Sequence, residues 1–426
     1  MATPQKWDTA YEWKAVTLLA LGFGLVGLDR WIIAPLLPSM VQDLGLTVQQ
    51  AGNLVGALGL VWGVFAILSG RLSDSVGHRK ILIPAILFFS MMSGFSGMAG
   101  GYMSLLLVRG VMGMMEGAYC PTSFAATAAA AHPSRRGFLQ GLQQSGFALF
   151  GFGLGPIIAT QLLLYMDWRM VFWAVAIPGI IIGILLFFVL REPSQTQGGA
   201  LVGEAPPAAA GHGGGGTAGW GEVIKSKNIV LCMLALFCAM SCIFVLGGLL
   251  PVYLTDAPAM GGQLTPQQIG FIASALGFGG FVGQFGLPGI SDMLGRRPTA
   301  VLGFIGAAVT LYLFMQLGPN PTSLFMMLFL VSFFSLGNVA LITGPIATES
   351  APVGLVAASI GLVVGAGEIF GGGVAPAIAG WVGQNYGIQN ILWMPLIGVS
   401  LGIVVTALLR ETAPKKVGVP AAAAAR

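Results

Sequence analysis

Long apolar runs separated by short polar breaks dominate the chain, and the runs share one length. A helix needs about 20 apolar residues to cross a bilayer. Twelve stretches meet that measure: 15–38, 50–69, 81–99, 103–131, 137–163, 168–190, 229–254, 268–290, 299–317, 323–347, 355–382 and 391–409. The pattern predicts an all-α membrane protein with twelve transmembrane helices in two six-helix halves. Residues 192–228 break it with Gly198-Gly199, Pro206-Pro207 and Gly213 to Gly216. Such a segment cannot bury a core and reads as a flexible linker. The predicted organisation is a half at 1–191, a linker at 192–228, a half at 229–410 and a disordered tail at 411–426.

Composition narrows the class. Charged residues make up 8% of the 426 and hydrophobic residues 56%, with mean hydropathy +0.86. A soluble domain carries roughly 25% charged residues, so a soluble enzyme is excluded, and so is bulk disorder. No cleavable leader is expected, because the first apolar run is long enough to remain as a span. Neither a phosphate loop nor a nucleophile triad stands out. Cys120, Cys232, Cys238 and Cys242 lie inside apolar runs without a His or carboxylate beside them, so packing is expected rather than a metal site. No cofactor and no nucleic-acid partner is expected.

The sum of charge, +4, matters less than its placement. With the N-terminus on the cytoplasmic side, sixteen of the 19 Lys and Arg fall on that side, among them Arg71, Arg79, Lys80, Arg135 and Arg296. Arg169 alone falls outside, and Arg30 and Arg109 fall within spans. This positive-inside bias puts both termini and the linker in the cytoplasm. Trp168 and Trp173 suit an interfacial belt at the outer end of the sixth span.

The halves carry an internal echo. Ser73-Asp74-Ser75-Val76-Gly77-His78-Arg79 matches Ser291-Asp292-Met293-Leu294-Gly295-Arg296-Arg297 in the corresponding connection, at an offset of 292 − 74, or 218 residues. The loop Gly70-Arg71-Leu72-Ser73-Asp74-Ser75-Val76-Gly77-His78-Arg79-Lys80 resembles the signature of the major facilitator superfamily. The resemblance implies a twelve-helix transporter in which Gly70, Asp74, Gly77, Arg79 and Asp292 latch the halves together in one conformation. The second copy departs from the pattern, with Pro288 in place of the first glycine.

Five ionisable groups lie within spans: Asp29 and Arg30, Arg109 and Glu116, and Glu368. Each is a functional hypothesis by default, since an unpaired charge in a bilayer costs several kcal/mol. Arg109 and Glu116 share a helix face about 10 Å apart. Asp29 and Arg30 are turned about 100° from one another, so Asp29 is expected to pair with Arg109 while Arg30 faces a central cavity. A purely structural salt-bridge network is the alternative. The combination resembles the anion:cation symporter branch, which implies proton binding at Asp29 and Glu116 and a substrate carboxylate at Arg30. Glu368 is an added candidate for proton coupling. Tyr253, in Leu250-Pro251-Val252-Tyr253-Leu254, is expected to border the substrate by the same resemblance.

Gln143 and Gln144 are expected either to bond substrate hydroxyls or to link helices. With all five groups ionised the sum is −1, and an arriving anion makes it −2, which proton uptake relieves. The resulting reading is a monomeric, proton-coupled importer of a small organic anion in a bacterial inner membrane. A proton-driven exporter of drugs or metabolites is the alternative, since Gly151-x3-Gly155-Pro156 partly resembles an antiporter signature.

Overall fold

The computed structural model describes residues 7–46, 48–196, 220–256, 260 and 263–417. The middle of the expected linker, 197–219, and the tail from 418 lie outside the described residues. Among the described residues, eleven helices are long and apolar enough to cross a membrane. A further helix, Tyr102–Ala130, spans 29 residues but carries Arg109 and Glu116, which lower its hydropathy. At 1.5 Å per residue it is about 43 Å long, and it completes twelve.

The spans, numbered in chain order, begin with Thr9–Trp31 continued by Ile33–Leu44, then Val48–Val76, His78–Ser96 and Tyr102–Ala130. Span 5 runs from Arg136–Phe147 through Gly155–Leu162, and span 6 is Trp168–Val189. Spans 7 to 9 are Lys227–Asp256, Pro266–Leu294 and Arg296–Met315. Span 10 is Pro321–Leu341 extended to Ser350, span 11 runs from Val356–Ala366 to Ala375–Tyr386, and span 12 is Trp393–Ala407. The flanks of the linker are ordered as a 3-10 turn, Pro193–Gln195, and a short helix, Trp220–Lys225, and the tail begins with one helical turn, Pro414–Val417.

Local chemistry sets the helix starts. The Asp8 carboxylate accepts from the Tyr11 amide at 3.0 Å and Asp167 from Met170 at 2.9 Å, while Thr265 and Gln268 form a reciprocal capping box. Gly77 and Gly295 turn the chain between spans 2–3 and 8–9 at φ +103° and +109°, where other residues are strained.

Three spans contain π-helical turns: Ala148–Leu154 in span 5, Ile342–Ile346 in span 10 and Gly367–Val374 in span 11. The first and last lie 367 − 148, or 219, residues apart, at equivalent places in the two halves. Such turns interrupt a helix's regular bonding and gather at functional sites. The halves meet along two seams, span 2 against span 11 and span 5 against span 8. Glycines allow the approach: a Cβ on Gly70 would sit 2.9 Å from the Ala357 carbonyl carbon, and one on Gly141 2.9 Å from the Phe285 Cα.

Candidate functional site

Both seams are tied at one end of the molecule, where the basic residues gather. Asp74 accepts from the amides of Ala357 (2.9 Å) and Ala358 (2.7 Å) at the start of span 11. Asp292 accepts from the amides of Gly137 (3.2 Å) and Phe138 (2.9 Å) at the start of span 5. Each carboxylate therefore caps a helix of the other half, where backbone N–H groups lack intrahelical partners. Gly70 lets span 11 come close beside Asp74. In the second copy Gly137 takes that part on the opposite helix, since its Cβ would meet the Pro288 carbonyl at 2.7 Å. The Pro288 departure thus leaves the contact intact.

The second tie is the more elaborate. Arg296 bonds Asp292 at 2.6 Å and Glu349 at 2.8 Å, whereas His78 stands 3.9 Å from Asp74. Arg79 departs from its expected part. It donates to the Phe187 carbonyl and lies 5.0 Å from that ring, binding span 3 to span 6 within one half. Its long side chain follows the apolar flank of span 6 instead of reaching the seam.

Deeper in, Gln140 donates to Thr348 (2.9 Å), and Gln144 accepts from Thr343 (2.8 Å) and donates to the Ala340 carbonyl (3.3 Å). These bonds also join the halves. Gln143 instead donates to Ser123 at 3.1 Å within its own half.

Beyond this layer lie the five charges, all buried (Arg30, the most open, is 8% exposed). Arg30 Nη2 pairs with Glu368 Oε2 at 2.9 Å, joining span 1 to the π turn of span 11. The same guanidinium lies 5.6 Å from the Trp62 ring and 5.3 Å from Phe244, within cation–π range. Its Nη1 is buried without a partner.

Asp29 points the other way, as the 100° turn requires. It does not pair with Arg109 as expected, because its carboxylate accepts from Ser93 Oγ at 2.7 Å, towards span 3. Arg109 Nη1 bonds the Asp29 carbonyl oxygen at 3.2 Å, and its guanidinium lies 5.8 Å from the Phe172 ring. Neither oxygen of Glu116 has a hydrogen-bond partner, although the residue is fully buried.

Arg30 and Glu368 form the floor of a cavity of about 890 Å³ that runs away from the tied end, between spans 1, 2, 7 and 11. A second, small cavity of about 50 Å³ lies on the other side of Glu368 and Phe244, walled by Trp62, Phe147, Phe152 and Gln144. Tyr253 lines neither; it is buried beside Phe314, with ring centroids 6.3 Å apart. The aromatic walls (Trp62, Phe147, Phe152, Phe244) were not singled out by sequence, since aromatics in apolar helices look alike whichever way they face. Among the described residues no group of three or more His, Cys, Asp or Glu is placed to hold a metal.

The Major Facilitator Superfamily profile matches residues 19–263 and 254–426. A probable 4-methylmuconolactone transporter of Cupriavidus pinatubonensis is 28% identical over 408 residues, covering 92% of this chain and 89% of that protein. The hexuronate transporter of Bacillus subtilis is 28% identical over 265 residues, 61% of each chain. The solved structure of the proton:xylose symporter XylE superposes with a TM-score of 0.74 at 16% identity, over 95% of this chain and 97% of that one.

Proposed function

The chain belongs to the major facilitator superfamily and is a multi-pass membrane transporter, not an enzyme; from this premise we propose that it is a proton-coupled symporter of a small organic carboxylate. One observation carries the reading. A buried guanidinium at the floor of a large cavity has one arm held by Glu368 and the other, Nη1, unbonded. A planar cation with a free arm suits a carboxylate, and the flanking Trp62 and Phe244 rings add apolar surface. The relatives named for hexuronate and 4-methylmuconolactone support a small acidic or lactone substrate.

Coupling follows from charge. Arg30 and Glu368 neutralise one another, leaving Asp29 and Glu116 against Arg109. An incoming carboxylate competes with Glu368 for Arg30, so two anions then share one cation. In a dry interior that is costly, and protonating Glu368, Glu116 or Asp29 offsets it. Substrate and proton each favour the other's binding by linkage.

The tied end carries the basic residues, so the positive-inside bias makes it cytoplasmic and the cavity outward-facing in a bacterial inner membrane. Asp74 and Asp292 act as the latches that hold this state, Gly70 and Gly77 shape the first of them, and transport requires both to open. Every residue of the proposed site comes from one chain, which supports a monomer as the working unit. The glycines of Gly151-x3-Gly155 approach span 1 and the turn within span 5 (a Cβ on Gly151 would meet the Gly27 carbonyl at 3.0 Å), a packing part that serves a transporter working in either direction.

Proteoliposomes with an acidic exterior test the reading. Carboxylate should accumulate inside, and Arg30→Ala should abolish binding and uptake. Normal accumulation by Arg30→Ala, or efflux of cationic amphiphiles driven by the same gradient, would falsify it.

A further inference from the structure

The large cavity is open on its side as well as at its mouth. Span 2 shows the bilayer a stripe at helical spacing: Leu60 is 64% exposed, Val64 39%, Leu68 54% and Leu72 50%. Span 11 shows another, with Phe370 55% exposed, Val374 43%, Ile378 47% and Trp381 56%. Leu60, Val374, Ile378 and Trp381 belong to these outward stripes and also line the cavity, so the gap between spans 2 and 11 opens on the apolar surface that a bilayer would cover. The reason lies in the packing. Towards the tied end Gly63 and Gly365 let the two helices touch, while beyond Val374 the stretch Ala375–Tyr386 has no substantial packing on span 2.

The chemistry of the lining is one-sided. Among the described residues Arg30 and Glu368 are its only charged ones, and the rest of the wall is aliphatic, aromatic, glycine and proline. A polyhydroxylated acid would lose water there without replacement bonds. An alkyl or aryl tail gains about 0.8 kcal/mol per buried CH₂. Glu368 and Trp381 lie thirteen residues apart on span 11, so the slot is roughly 20 Å long.

We infer that this transporter takes amphiphilic carboxylates, whose head sits at Arg30 and whose apolar tail lies in the slot between spans 2 and 11, in contact with the outer leaflet. The inference rests on the carboxylate reading of Arg30 and adds the tail and its lateral path.

The test uses the full chain in lipid nanodiscs and n-alkanoates from butanoate to decanoate, with glucuronate as the polar comparison. Affinity referred to free aqueous ligand should rise about fourfold per added methylene, and glucuronate should bind more weakly than hexanoate. Gly56→Leu and Gly373→Leu add side chains where a Cβ meets open space; both should flatten the series by filling the slot. A terminally brominated decanoate should quench Trp381 fluorescence, and Trp381→Phe should remove that share of the quenching. A flat series in the wild type, or normal binding without Trp381-dependent quenching, overturns the slot while leaving the Arg30 reading intact. Loss of chain-length dependence together with unaltered binding by Arg30→Ala overturns both.

Discussion

The two halves repeat one backbone and divide the chemistry unequally. The 218-residue offset carries Asp29 and Arg30 onto Gly247 and Gly248, Arg109 onto Met327 and Glu116 onto Phe334. In the reverse direction Glu368 falls on Phe150. Of the five charges deep within the spans, four therefore sit in the first half, and the second contributes one carboxylate on a π turn. At the tied end the balance reverses. The first half offers Asp74 with a distant His78, while the second braces Asp292 with Arg296 and Glu349. Repetition supplies the paired ties at the basic end, and departure from repetition supplies the buried charges proposed to bind ligand and proton.

The sharpest break in this comparison is to discharge the first half. A one-unit pH gradient supports up to about tenfold accumulation per coupled proton. Asp29→Asn combined with Glu116→Gln should bring that ratio to about one in proteoliposomes while substrate exchange across equal pH persists. Loss of exchange as well would place these carboxylates in substrate binding instead.

Changing the second half's single charge should act in the opposite direction. Glu368→Gln frees Arg30 of its competitor, and carboxylate affinity measured by calorimetry should rise about tenfold, or 1.4 kcal/mol. Weaker binding would mean that Glu368 holds Arg30 in place for the substrate rather than competing with it.

The latches come next. A capping carboxylate contributes about 1 kcal/mol, which is about a fivefold change in an equilibrium. Asp74→Ala and Asp292→Ala should each shift the population towards the state open at the basic end, read by spin-label distances between spans 5 and 8. Asp292→Ala should shift it further, because it also removes a partner of Arg296.

The smallest effect is expected in the loop before span 5. Burial lowers the His132 pKa from its ordinary 6.5, and its Nδ1 accepts from the Ser134 amide at 3.2 Å. The unfolded chain takes up this proton first, so stability is full above pH 6.5 and falls as pH drops through that value towards the folded pKa. His132→Asn should flatten this part of a melting-temperature profile. An unchanged slope would assign it to other groups.

Much of this was legible in the sequence because a bilayer enforces it. Twelve apolar runs, the break after Arg191, the repeated loop and five misplaced charges are local signals with large energies behind them. That Asp29 and Arg30 face different ways followed from their 100° separation, and the structure puts Arg30 on the cavity side. What stayed hidden depends on where a side chain finds its partner in space. Glu368 lies 338 residues from Arg30, and no spacing rule joins them. Asp29 found a serine on span 3 before it found Arg109. Tyr253, expected at the cavity, turned to Phe314, since a half-turn on a uniformly apolar helix leaves no trace in composition. The π turns stayed hidden too, although each holds a proline or precedes one by two residues (Pro156, Pro345, Pro376), whose missing N–H interrupts the regular ladder.

The latches have a consequence for how the sequence can drift. Each carboxylate holds main-chain amides, so its partners contribute no side-chain chemistry. Ala357 and Ala358 are fully buried and Gly137 has no room for a Cβ, so these three amide donors must stay small, and proline, which lacks the N–H, is barred at them and at Phe138. A deep mutational scan should therefore show Asp74 and Asp292 constrained by charge and their partners by size, so that no side-chain change on the far side repairs a lost carboxylate.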